Sequence, residues 1–133
     1  MIKVGITGGI GSGKSIICSI FKNLDISVFT TDIEAGIIMC NDSYVIEMLT
    51  KKFGNDIYLY DGEINRVKLA ALIFNNDDAF DYVNSVVHPA VKKKYSEWCQ
   101  EQTSKYCIIE TAILFESGVD FLVDKVISVS APF

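Results

Sequence analysis

A three-layer α/β fold, with helices on both faces of a parallel sheet and one helical insertion, is the architecture this 133-residue sequence predicts. Three observations carry the prediction. The chain opens as strand, glycine-rich loop and helix; a long central stretch has helical periodicity; and two apolar, β-branched runs close it. The first of these runs, residues 106–112, is almost continuously apolar, as in a parallel strand covered on both faces.

Each element has a local reason. Residues 2–7 alternate and are rich in β-branched types, which predicts a strand, and residues 16–21 read as a buried helix. A turn at 24–26 leads to a compact second strand at 27–30, with Asp32 at its C-terminal end. A helix begins near Asn41, Asp42 and Ser43, carries Tyr44, Met48 and Leu49 on one face, and meets a stop signal at Phe53, Gly54 and Asn55. Asp61 and Gly62 form a turn; residues 66–74 make a strongly apolar helix, and residues 75–78 both end it and cap the next. That helix, 79–87, is expected to stop at His88 and Pro89, and another, 90–102, follows with Val91, Tyr95, Trp98 and Cys99 at helical spacing. Strands at 106–112 and 126–130 complete the sheet. No repeat or low-complexity segment interrupts this plan.

The loop between the first strand and the first helix carries the chemistry. Gly8, Gly9, Ile10, Gly11, Ser12, Gly13, Lys14 and Ser15 satisfy G-x-x-x-x-G-K-[ST] at every fixed position, in the strand-to-helix context the motif requires. A triphosphate needs several backbone N–H groups converging on it, which demands positive φ and close approach of the main chain; glycine permits both. The helix beginning near Lys14 aims its positive end at the phosphates, with Lys14 as a point charge on the outer ones and Ser15 offering a hydroxyl to Mg²⁺. The sheet is thereby predicted to be of the P-loop NTPase type. Asp32 lies where ligands collect outside the carboxyl ends of strands, and equally where a helix needs an N-cap.

Composition bounds the rest. A formal net charge of −5 lacks the basic excess of a nucleic-acid binder, and only one of the twelve basic residues is an arginine, Arg66. Lys92, Lys93 and Lys94 read as a solvated face, or else as a local positive patch for a phosphorylated substrate. His88 reads equally as a packed helix junction or as a site residue. Four cysteines without C-x-x-C pairs or histidine partners at zinc spacing read as buried, reduced thiols. With no signal-like segment and no apolar run of about 18 residues, a cytoplasmic protein without a membrane partner is expected.

Taken together these residues resemble the dephospho-CoA kinase family. Residues 6–15 are similar to its form of the phosphate loop. Asp32 matches the second acid of a D-x-D-like motif after the second strand. Arg66, Leu69 and Phe74 match an R-x-x-L-x-x-x-x-F segment, and Asn84 with His88 and Pro89 match an Asn before a His-Pro pair. Residues 112–116 are similar to a P-L-L-F-E motif ending in Glu116. The resemblance runs from Met1 to Phe133. It implies transfer of a phosphoryl group from ATP, with Mg²⁺, to the ribose 3′-hydroxyl of dephospho-CoA. Implied roles are Asp32 as general base and acceptor contact, Lys14 as catalytic cation, and residues 8–15 with the Ile16 backbone as the nucleotide cradle. Arg66, His88 and Glu116 are implied near the acceptor. Domains implied are a nucleotide-binding core, 1–32 and 104–133, and an acceptor-binding helical insertion, 33–103.

The sequence departs from that pattern in places. Thr30 stands where the D-x-D-like motif has its first acid, and Gly36 where a basic residue is usual. No arginine follows Arg66, and the family's arginine-bearing lid and last elements have no counterpart, so weak or no turnover by this chain alone is expected. Two other readings stand beside the first: a kinase of another small acceptor such as a nucleoside or nucleotide, and a module that binds nucleotide or CoA without catalysis. A GTP-driven switch is disfavoured by the lack of an N-K-x-D motif.

Overall fold

The computed structural model describes residues 1–8, 13–111 and 123–129. Four strands, β1 (Ile2–Gly8), β2 (Val28–Thr30), β3 (Tyr106–Glu110) and β4 (Lys125–Val129), form one sheet in the order β2-β3-β1-β4. Every pairing is parallel: Val4 faces Ile108, Ile6 faces Ile127, and Thr30 faces Glu110. Five α-helices complete the described chain: α1 (Lys14–Asn23), α2 (Thr31–Asn41), α3 (Ser43–Phe53), α4 (Arg66–Ile73) and α5 (Asp77–Glu101), with a 3-10 turn at Asn55–Ile57. The predicted α/β class is the observed one. No described helix is long and apolar enough to cross a membrane.

The chain divides into two compact units, Met1–Asp32 with Lys92–Phe133, and Ile33–Val91. In the first, Ile6 of β1, Cys18 of α1 and Ile108 of β3 form a buried centre, with Val4, Ile17, Phe21 and Val28 packed around it. The run Cys107, Ile108 and Ile109 is fully covered, as its unbroken hydrophobicity predicts. β4 differs: Val126 and Ile127 are exposed among the described residues. Beyond Lys92, Tyr95 and Trp98 pack on Phe29 of β2, both with ring centroids 5.4 Å away. All four cysteines are free, three buried and Cys40 half-buried; Cys99 and Cys107 place their sulfurs 3.6 Å apart.

In the second unit Val45, Leu49, Ile57, Ile64, Leu69, Val83, Val86 and Val87 are buried. Its helix starts follow the capping residues in the sequence. Asp42 accepts from Val45 N–H, Asn65 from Lys68 N–H, and Asn76 from Ala79 N–H, each at 3.1 Å. Tyr58 and Tyr82 tie α2 and α3 through their hydroxyls, which donate to the Met39 and Met48 carbonyls.

One expectation is overturned. The helix that should stop at His88 and Pro89 runs on unbroken as α5, 25 residues from Asp77 to Glu101. A proline inside a helix removes one backbone bond and crowds the preceding turn, a cost of about 3 kcal/mol. Burial of Val83, Val86 and Val87 before it, and of Val91, Tyr95 and Cys99 after it, outweighs that cost.

Candidate functional site

The site grows from the end of β1. Gly8 is the last residue of that strand and Gly13 the residue before α1; Gly9, Ile10, Gly11 and Ser12 lie outside the described residues. Gly13 has φ +93°, a left-handed conformation that costs an L-residue about 1–2 kcal/mol. A Cβ there would meet no described atom within 4 Å, so it is the backbone turn that glycine serves.

The first main-chain hydrogen bond of α1 runs from Ile17 N–H to the Gly13 carbonyl. The N–H groups of Lys14, Ser15 and Ile16 therefore stand at the positive end of the helix with no intrahelical acceptor. No side chain caps them and no acidic residue lies in the first turn. Three convergent donors with an unopposed dipole make a cradle for an anion.

Strand order supplies what surrounds this cradle. β3 lies between β1 and β2, so its terminal residue, Glu110, arrives between the head of α1 and the end of β2. The Lys14 ammonium is 3.8 Å from Glu110 Oε1, and both side chains are largely buried. The contact is an ion pair, too long for a hydrogen bond. Thr30 Oγ1 donates to Glu110 Oε2 at 3.3 Å, and Thr31 Oγ1 donates to the Glu110 carbonyl at 3.0 Å. Beneath them burial, then the negative charge of Glu110, push the Cys18 thiol up to about 11 and keep it neutral.

Thr30 acquires a reason here. An aspartate at that position would set a second carboxylate against Glu110, whereas the threonine donates to it. Asp32 follows as the second residue of α2, exposed at the same C-terminal edge of the sheet. Ser15 is exposed at the first turn of α1, and Ile16 is 69% exposed.

The remaining predicted residues lie elsewhere. Arg66 opens α4, and His88 is half-buried within α5; both belong to the Ile33–Val91 unit. Glu116 lies outside the described residues. The position where a basic residue was expected, Gly36, is overlain by Arg66: a Cβ on Gly36 would sit 2.7 Å from an Arg66 guanidinium nitrogen. Among the described residues no group of three His, Cys, Asp or Glu side chains is placed to hold a metal ion.

Glu110 is the residue that sequence reasoning missed. Its signal was an acid closing an otherwise apolar run, but nothing local says that this strand lies beside the phosphate loop. Gly36 was read only as a departure, and its contact with a residue thirty positions away is a tertiary fact.

Comparison with known proteins agrees with this geometry. A family model described as dephospho-CoA kinase matches residues 2–133. A dephospho-CoA kinase from Porphyromonas gingivalis is 45% identical over 132 residues, 99% of this chain and 65% of that protein. The solved structure of a dephospho-CoA kinase from Campylobacter jejuni superposes with a TM-score of 0.76 at 26% identity, over 95% of this chain and 64% of that one. A Thermus thermophilus structure does so at 0.82 and 27%, over 98% and 66%. The chain thus spans slightly less than two thirds of the Porphyromonas relative. By its loop, its sheet order and its match over residues 2–133, the chain belongs to the dephospho-CoA kinase family.

Proposed function

We propose that this chain forms the nucleotide and acceptor sites of an ATP-dependent dephospho-CoA kinase, which phosphorylates the ribose 3′-hydroxyl in the last step of coenzyme A synthesis. The observation that carries the reading is the cluster at the head of α1. Three N–H groups without intrahelical acceptors and the Lys14 ammonium stand beside a carboxylate that accepts from a threonine hydroxyl.

In this reading the N–H groups of Lys14, Ser15 and Ile16 bind phosphate oxygens of ATP, and residues 8–13 contribute to the same nucleotide site. Lys14 swings its ammonium from Glu110 to the outer phosphates and holds the charge that spreads over them during transfer. Asp32 orients the 3′-hydroxyl and takes its proton. Arg66, His88 and Glu116 serve the acceptor. The Ser15 hydroxyl and the Glu110 carboxylate are hard oxygen donors of the kind Mg²⁺ accepts, directly or through water. Bound there, the ion would neutralise phosphate charge. The partners are small molecules, with neither nucleic acid nor membrane, in the cytoplasm.

Asp32→Asn tests the assignment of the base. Calorimetry should find binding of an ATP analogue and of dephospho-CoA within about twofold of the unaltered chain, while CoA formation, followed by product mass, falls about 100-fold or more. Undiminished transfer by the variant would remove Asp32 from the mechanism.

A further inference from the structure

Two sulfurs meet inside the first unit, away from the phosphate site. Cys99 lies in the last turn of α5 and Cys107 is the second residue of β3, and their Sγ atoms are 3.6 Å apart. Both thiols are free, at 3% and 0% exposure. The other two cysteines have different company. Cys18 packs with Ile6 and Ile108, and Cys40, in the second unit, donates to Glu63 Oε2.

Three features set this pair apart from thiols that merely fill a core. A surface groove of about 380 Å³ is lined by Met1, Lys3, Ser96, Gln100 and Cys99, so one sulfur of the two borders a route from solvent. Tyr95, one turn before Cys99 and buried, brings its hydroxyl within hydrogen-bond reach of both sulfurs. The third feature is that one side can give. Gln102 N–H bonds to the Cys99 carbonyl in a tightened final turn of the kind in which helices fray, whereas Cys107 sits in a strand held between β1 and β2. A disulfide needs about 2.05 Å between sulfurs, so the pair has roughly 1.5 Å to close, within reach of a side-chain rotation at Cys99.

We infer that Cys99 and Cys107 form an oxidation-sensitive dithiol, in which a hydroperoxide entering the groove oxidises Cys99 and Cys107 then closes a disulfide. With hydrogen peroxide the Cys99 sulfur attacks one oxygen, the O–O bond breaks, and the thiol proton leaves with the other oxygen as water. The Cys107 sulfur next attacks the Cys99 sulfenic acid; the S–S bond forms, the S–O bond breaks, and the Cys107 proton leaves with the hydroxyl as a second water. The two thiols lose two electrons and the peroxide gains them. Burial foremost, then the hydrogen bond and charge of Cys99, hold the Cys107 thiol up to about 12, so it keeps the proton that the second step consumes. The product ties the last turn of α5 to the start of β3 and leaves Glu110, at the other end of that strand, where it is. It is a clamp on the core, and it is independent of the kinase reading.

The experiment treats the reduced chain with hydrogen peroxide, alkylates the remaining thiols in denaturant and digests with trypsin, which cuts at Lys105 between the two cysteines. The expected product is one pair of peptides joined through Cys99 and Cys107, lighter by two hydrogens and separated again by dithiothreitol. Fluorescence of Trp98, the only tryptophan and the neighbour of Cys99, should fall on oxidation and recover on reduction. Affinity for a non-hydrolysable ATP analogue should stay within about twofold, and a larger loss would overturn the clamp. Both cysteines alkylated after peroxide, or Cys107 joined to Cys18 or Cys40, overturns the dithiol, and the unaltered chain decides this without any variant. The order of attack is read from two substitutions: Cys107→Ala should leave a sulfenic acid on Cys99 that dimedone captures, and Cys99→Ala should leave Cys107 unoxidised. Equal capture at Cys107 in the second variant overturns the assigned order.

Discussion

Gly13 and Cys18 are where the physical account can be tested one side chain at a time. Gly13→Ala forces a Cβ into φ +93° and into space that no described atom fills. Chemical denaturation should register a loss of about 1–2 kcal/mol, and nucleotide affinity should fall more than that strain explains, because the methyl group enters the cradle. An unchanged affinity would mean that the open space is not where phosphate lies. Cys18 gives a pH prediction. Its thiol is raised from 9.0 to about 11 in the folded chain, foremost by burial. A group protonated more readily when folded contributes stability that is complete below pH 9 and is lost as pH rises from about 9 to about 11. Melting temperatures between about pH 8 and pH 10 should therefore fall more steeply for the unaltered chain than for Cys18→Ala. Parallel slopes would contradict the burial argument.

Among the elements, α5 departs furthest from local expectation. A Pro89→Ala substitution restores a backbone N–H and relieves crowding, so urea denaturation should show a gain on the order of 1–3 kcal/mol. A loss instead would mean that the proline fixes a bend on which the surrounding packing depends. This helix also shows why part of the fold could be read from sequence and part could not. Asp42 and Asn76 announce their helices because a capping bond reaches only three residues ahead. The phosphate loop is legible for the same reason, since its glycines, lysine and serine are contiguous. Pro89 misleads because burial on both sides, which no short window contains, outweighs its local cost. Glu110 stays hidden because the insertion of β3 between β1 and β2 is a property of strand order.

At the scale of the whole molecule, an acidic chain of net charge −5 must bind polyanions through local devices rather than through its overall field. The head of α1, with three N–H groups lacking intrahelical acceptors and Lys14 beside them, has the chemistry of such a device. Family membership follows from the match over residues 2–133. The most direct measurement is a single-turnover reaction with ATP labelled in its γ-phosphate, offered dephospho-CoA and nucleoside monophosphates in parallel. The account predicts label only with dephospho-CoA, at the ribose 3′ position by phosphorus NMR, at a rate that Asp32→Asn suppresses. Label passing to a nucleoside monophosphate in preference, or label reaching dephospho-CoA as fast in the Asp32→Asn variant as in the unaltered chain, would contradict it.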